Sequence, residues 1–208
     1  MKEKTLKYLK GDMSLDEYIE HCGRDNFEFL QSLAQEGETA DRIIFKEDGL
    51  VEAETIPYSA KEAITEAYKQ KTLSSEVDCF SEIHRLMKNA YPNENFEVCT
   101  SLYEAFSYIL DNTPGYIGGR EAEKFIMAAY LNASKAEKPK RNEYKRMLES
   151  LFRCKNGKKP QWIQEAEWPV HNGKPLVFVE DYWDDKKRRH YVFEDGNTHE
   201  TFETIQSY

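Results

Sequence analysis

Five histidines, His21, His84, His171, His190 and His199, are the side chains of this chain best suited to holding a metal or moving a proton near neutral pH. A zinc site usually takes paired ligands from one short stretch, as C-x₂₋₄-C or H-x₃₋₅-H. No two histidines and no two cysteines stand at such spacing. His84 falls on an apolar helical stripe, where a core histidine with its bonds satisfied is commoner than a ligand. His190 and His199 flank one turn and would approach each other only if a hairpin closed there. Glu180, Asp181, Asp184 and Asp185 bunch together and are followed by Lys186, Lys187, Arg188 and Arg189. Paired carboxylates can do acid–base work or hold a cation. Charges at a hairpin tip more often protect an edge strand from pairing with another chain. Gly118-Gly119-Arg120 precedes a helical pattern but lacks the spacing of either phosphate-binding glycine loop. No G-x-S-x-G nucleophile motif occurs. The expectation is a chain with no catalytic residue, no metal and no cofactor.

The elements that must carry these residues follow from hydrophobic periodicity. Spacings of three and four residues predict helices over most of the first 155 positions. Ser14 followed by Glu17 is a capping box, and Gly23 is expected to break the helix it starts. Further helices are expected after Asp25, Ser59, Ser74 and Thr100, after the Gly118-Gly119 pair, and from about Arg141 to Cys154. Residues 37–58 are ambiguous: Ile43-Ile44-Phe45 reads as a short strand or a helical turn, followed by a turn at Glu47-Asp48-Gly49. The period changes at Pro160. Short β-branched and aromatic runs follow, separated by turns at Asn172-Gly173, Asp184-Asp185 and Asp195-Gly196-Asn197. The fold class expected is α+β, a predominantly helical N-terminal body with a small C-terminal antiparallel β-meander packed on it. Residues 1–208 are read as one domain, with 1–155 its helical part and 160–208 its meander. Regular alternation along the first meander strand would put Leu176, Phe178, Glu180 and Tyr182 on one face, and Val177, Val179 and Asp181 on the other.

Composition narrows the functional classes. The 208 residues are 39% hydrophobic and 32% charged, the balance of a globular chain. No apolar run approaches the roughly 20 residues of a membrane span, and no apolar stretch follows the basic N-terminus as in a secretory signal. Cytoplasmic residence is the expectation. Cys22, Cys79, Cys99 and Cys154 are scattered and read as small buried hydrophobes. The net charge is −9, with both ends acidic and the middle mildly basic. That balance argues against general nucleic-acid binding, which depends on neutralising phosphates, and fits a basic protein partner. Residues 135–159 hold 10 bases against 3 acids, as a nucleic-acid-contacting helix would. However, Tyr144 belongs to a buried stripe there, and Glu149 stands four residues before Arg153 for a helix ion pair.

The most specific stretch reads Pro160-Gln161-Trp162-Ile163-Gln164-Glu165-Ala166-Glu167-Trp168-Pro169, then Asn172-Gly173-Lys174-Pro175-Leu176-Val177-Phe178-Val179. Tyr191-Val192-Phe193-Glu194-Asp195 and Gln206 follow. With Pro114-Gly115-Tyr116-Ile117-Gly118-Gly119-Arg120-Glu121 and the opening Tyr8 to Leu33, this resembles immunity proteins of bacterial polymorphic-toxin and contact-dependent growth inhibition systems. The chain departs from that pattern at Glu180-Asp181, where a Gln is expected. The resemblance implies a non-enzymatic, cytoplasmic protein that neutralises a cognate toxin by binding it, with no catalytic residue to carry over. Trp162, Gln164, Trp168, Pro169, Gly173 and Pro175 form the signature and are expected to anchor the extended segment. An acidic aromatic surface at Glu180, Tyr182, Asp184 and Asp185 is the expected partner site, and Asp16, Glu17 and Glu20 are its rival. Two alternatives stay open: a small enzyme with a site assembled from scattered residues, and a nucleic-acid-binding regulator using residues 135–159.

Overall fold

A computed structural model describes residues 1–45, 51–70, 72–133 and 137–208, with the backbone alone described at 21–26, 41–45, 51, 52, 66, 67, 70 and 137–139. The fold is α+β, as expected. The chain divides into two compact units, Met1–Tyr103 and Glu104–Tyr208, where one domain with a change of character near residue 160 was expected. The C-terminal unit therefore holds both the meander and the helices beneath it.

In the first unit, α1 (Lys2–Lys10) ends where Gly11 turns left-handed at φ 82°. A Cβ on Gly11 would meet Cys99 at 3.2 Å. The close approach is used, because the Cys99 amide donates to the Leu9 carbonyl at 2.8 Å. Ser14 caps α2 (Leu15–Ser32): its hydroxyl accepts the Glu17 amide at 3.2 Å, and the Glu17 carboxylate accepts the Ser14 amide at 2.9 Å. The helix runs unbroken through Gly23, correcting the expected stop. One helical glycine costs about 1 kcal/mol, less than the roughly 1.5–3 kcal/mol gained by each large apolar side chain the helix buries, such as Tyr18 and Leu30.

Ile43, Ile44 and Phe45 belong to a strand. β1 (Thr39–Phe45) pairs antiparallel with β2 (Val51–Pro57), from Thr39 opposite Pro57 to Phe45 opposite Val51. The Glu47-Asp48-Gly49 turn lies outside the described residues, as do the side chains of His21 and Cys22. α3 (Ala60–Gln70) and α4 (Leu73–Ala90) follow, the latter capped by Thr72 and Ser75. Tyr8, Leu9, Tyr18, Leu30, Ile64, Phe80, Ile83, Leu86 and Met87 fill this unit's core. The Thr5 and Tyr18 hydroxyls bond each other inside it at 3.0 Å. His84 is half-buried on α4, and burial, helped by Lys88, holds its pKa below the usual histidine value.

The division between units falls within α5 (Ser101–Asn112). α6 (Glu123–Asn132) and α7 (Glu137–Leu151) then supply Ile126, Ala129, Tyr144 and Leu148 to the second core, and Phe152 joins them just past α7. Tyr144 is buried, and its hydroxyl lies 2.6 Å from that of Thr113. Glu149 pairs with Lys145, one turn before it, at 3.8 Å, and not with the expected Arg153, because α7 ends at Leu151. β3 (Val170–His171) and β4 (Lys174–Pro175) form a minimal hairpin. Its turn residues Asn172 and Gly173 both have positive φ, 48° and 71°, as the tightest hairpin turn requires. β5 (Val177–Trp183), β6 (Arg188–Glu194) and β7 (Thr201–Ser207) make an antiparallel meander in sequence order. Its inner face, carrying Phe178, Tyr191 and Phe193, packs on Tyr144 and Leu148 of α7 and on Phe152 just after it. Among the described residues no helix is long and apolar enough to cross a membrane.

Candidate functional site

The signature residues converge on one place. Residues 160–169 run as an extended strap outside any strand. Trp168 is 1% exposed and donates its indole N–H to the Leu176 carbonyl at 2.9 Å. Its ring meets Phe152 and Phe193 edge-on at 5.3 and 5.4 Å. Trp162 stacks on Phe193 and donates its indole N–H to the Tyr116 carbonyl at 3.0 Å. The Trp168 amide donates to the Gly118 carbonyl at 2.9 Å. Gly119 has φ 99°, and a Cβ there would lie 3.0 Å from the Glu167 Cα. The Gly118-Gly119 pair thus lets the loop before α6 touch the strap. Gln206, buried on β7, accepts the Ile163 and Gln164 amides at 3.1 Å each and donates to the Glu165 carbonyl at 2.9 Å. Gln164 returns a bond to the Ser207 carbonyl at 2.7 Å. Pro169 and Pro175 frame the small hairpin, with the Leu176 amide donating to the Pro169 carbonyl at 3.1 Å. These residues hold the unit together, with Trp168 buried and Gln164 and Gly173 exposed.

The outward face of the meander differs from the alternation expected. The register skips at Val179: Phe178 faces Phe193, yet Glu180 faces Val192. A β-bulge of this kind reverses the parity of everything beyond it. Glu180 and Tyr182 consequently share the outward face with His190, Glu203 and Ile205, and are separated from Phe178. Asp181 turns inward, where its carboxylate accepts the Gln161 amide at 3.0 Å and the Arg189 guanidinium at 2.9 Å. The large apolar side chains exposed among the described residues are Met1, Leu110 and Leu131, and then Tyr182 (46%), Trp183 (45%), Ile205 (45%) and Tyr208 (93%). The last four belong to this sheet or adjoin its end. Trp183 and Tyr208 stack at 5.9 Å, with Arg189 over the Trp183 ring. Glu180 and Glu203 are exposed on the face of Tyr182 and Ile205, whereas Trp183, opposite Arg189, belongs to the other face.

Asp184 has another task. Its Oδ1 accepts the Lys186 and Arg188 amides at 2.9 Å each, and its Oδ2 accepts from the Arg188 guanidinium at 2.7 Å. The Arg188 amide and the His190 ring hold its pKa far below the usual carboxylate range. This acid builds the turn. Trp183, Ile205, Glu203 and Tyr208 were absent from the surface expected from sequence; the grouping of Tyr182 with Glu203 depends on the pairing of β7 with β6.

In the first unit, Asp16, Glu17 and Glu20 are exposed along α2. Glu17 serves the cap, and Asp16 accepts the Tyr68 hydroxyl at 2.7 Å. A second polar cluster lies on α4. Arg85 grips Glu82 through two bonds of 2.9 and 2.7 Å and reaches Glu38 at 2.7 Å, while the Tyr58 hydroxyl donates to Glu82. Burial opposes the Glu82 charge, but Arg85 and Tyr58 outweigh it and lower its pKa. Open clefts of about 650 and 510 Å³ border Tyr58. The four groups satisfy one another, which suits a tie between α4 and the chain before it. Among the described residues no three His, Cys, Asp or Glu side chains gather as metal ligands. His190 and His199 bond separate carboxylates, the latter Glu194 at 2.8 Å. No protein-family model, no curated protein and no solved structure matches this chain.

Proposed function

We propose that this protein is an immunity protein that neutralises a basic toxin by binding it one to one, with the free end of the C-terminal meander as the docking surface. The observation that supports this most is the exposure of four large apolar side chains toward the end of the sheet: Tyr182 and Ile205 on the outward face beside Glu180 and Glu203, and Trp183 and Tyr208 stacked on the other. Aromatic anchors ringed by polar groups carry most of the energy in protein interfaces. The resemblance of the signature segments to toxin-immunity proteins supplies the class of partner. In this reading the protein does no chemistry and works by covering the toxin's active site or its target-binding surface.

A second surface is favoured by charge. Residues 1–103 hold 21 acids and 12 bases, while residues 104–208 hold 17 of each, so the acidic excess belongs to the first unit. That observation supports α2, with Asp16 and Glu20, as the rival site. Two paired reversals separate the readings: Glu180→Lys with Asp185→Lys, and Asp16→Lys with Glu20→Lys. Asp184 and Glu17 are spared because they build a turn and a cap. The first pair, and Trp183→Ala separately, should weaken binding to the toxin domain encoded upstream by about tenfold or more. Loss only with the second pair would move the site to α2. If cells expressing that domain die equally with and without this protein, the immunity function is wrong.

A further inference from the structure

We infer that His190 sits in the fold as the doubly protonated imidazolium and works as a proton-operated pin joining all three strands of the meander. Nδ1 lies 2.9 Å from Glu203 Oε1 on β7, and Nε2 lies 3.1 Å from Asp184 Oδ2 at the end of β5. An ionised carboxylate only accepts hydrogen bonds, and a neutral imidazole has one N–H. Neutral His190 would therefore turn one bare nitrogen lone pair toward an oxygen about 3 Å away. Only the ring with both N–H groups satisfies both neighbours.

The proton does not sit on either acid instead. Asp184 already accepts two backbone amides and the Arg188 guanidinium. Glu203 Oε1 also accepts the Tyr182 hydroxyl at 2.8 Å. Each of those donors favours the ionised carboxylate, and both acids are held below their usual pKa, Glu203 by His190 first and then Tyr182. Tyr182 completes the site from β5, its ring stacked on the imidazole at 4.9 Å and 10°. At 8% exposure His190 has little water at hand to replace a lost bond. The ionisable groups facing the ring are thus Asp184 at the turn, Glu203 on β7 and Tyr182 on β5, with Arg188 of its own strand reaching it through Asp184.

The direction of the pH effect follows. Asp184 and then Glu203 raise the His190 pKa above the ordinary 6.5. A histidine raised on folding stabilises the fold fully below its unfolded value and ceases to do so as pH rises through the folded one. The depressed acids act oppositely, their contribution fading as pH falls through their folded values. The sheet is therefore pinned from mildly acidic to neutral pH and released on the alkaline side by His190. This concerns the chain alone and holds whatever the sheet docks.

Nitrogen-15 NMR of histidine-labelled full-length protein between pH 5 and 9 tests the pin directly. The expected result is two protonated ring nitrogens on His190 at pH 7 and a midpoint above 6.5. Glu203→Gln should lower the midpoint by about one unit by removing an adjacent charge. An unprotonated ring nitrogen at pH 7, or a midpoint at or below 6.5 in the unmodified protein, overturns the inference without recourse to any variant. So does a folded Glu203→Gln protein with an unchanged midpoint.

Discussion

Trp168 joins three parts of the C-terminal unit by itself: its amide holds the loop before α6, its indole N–H holds the start of β5, and its ring fills the space between α7 and the sheet. Trp168→Ala should cost about 3–5 kcal/mol, as removal of a buried Trp does elsewhere. Gln206→Leu keeps the bulk of the side chain but leaves the Gln164 amide and the Glu165 carbonyl without this partner. Its cost is about 2 kcal/mol, because unsatisfied buried groups keep their full desolvation penalty. Both values can be read from urea unfolding followed by circular dichroism. A Trp168→Ala loss below 1 kcal/mol would mean the strap is not a structural anchor. The two Trp and Gln206 stood out in the sequence as a signature, yet their bonding was not legible there. Their partners, Tyr116, Gly118 and Leu176, are chosen by tertiary closure and not by local spacing.

At the level of elements, the clearest sequence signals were the local ones. The Ser14–Glu17 box, the Asn172-Gly173 turn and the change of period at Pro160 all act within a few residues, so they survive in the sequence. Ser14→Ala should cost about 1 kcal/mol by removing the acceptor of the Glu17 amide, with Ser14→Asp close to neutral. A chemical denaturation midpoint unchanged in Ser14→Ala would show the start of α2 to be held by packing instead. The failures were also physical. Gly23 was read by its propensity, but burial of residues on either side carries the helix across it. The β1–β2 hairpin left an ambiguous signal because Ile43-Ile44-Phe45 is too short a run to separate period 2 from period 3.6. The Val179 bulge adds one unpaired residue and reverses two faces, and no side-chain pattern announces it. Glu203 and Ile205 were missed for another reason: their place beside Val192 and His190 is set by the pairing of β7 with β6, which no local pattern reveals.

For the whole molecule, the acidic excess of residues 1–103 sets the long-range field, while the exposed aromatic groups lie in residues 104–208. Attraction of a basic partner acts over about 10 Å at 0.1 M salt, whereas aromatic contact acts only on touching. Association with the toxin domain should accordingly slow by about tenfold or more between 50 and 500 mM salt, with dissociation changing far less. Stopped-flow mixing reads both rates, and a salt-independent on-rate would remove the charge argument for a basic partner. The Gln206 latch has a different consequence, for how the chain is made. Among the described residues the first unit's buried core comes from positions before α5, so that unit can begin to fold while synthesis continues. The second unit must wait, because the strap at Ile163–Glu165 is fastened by a residue some forty positions later. At roughly 5–20 residues per second, the residues between strap and Gln206 take a few seconds to make, and the strap lacks those bonds until they are made.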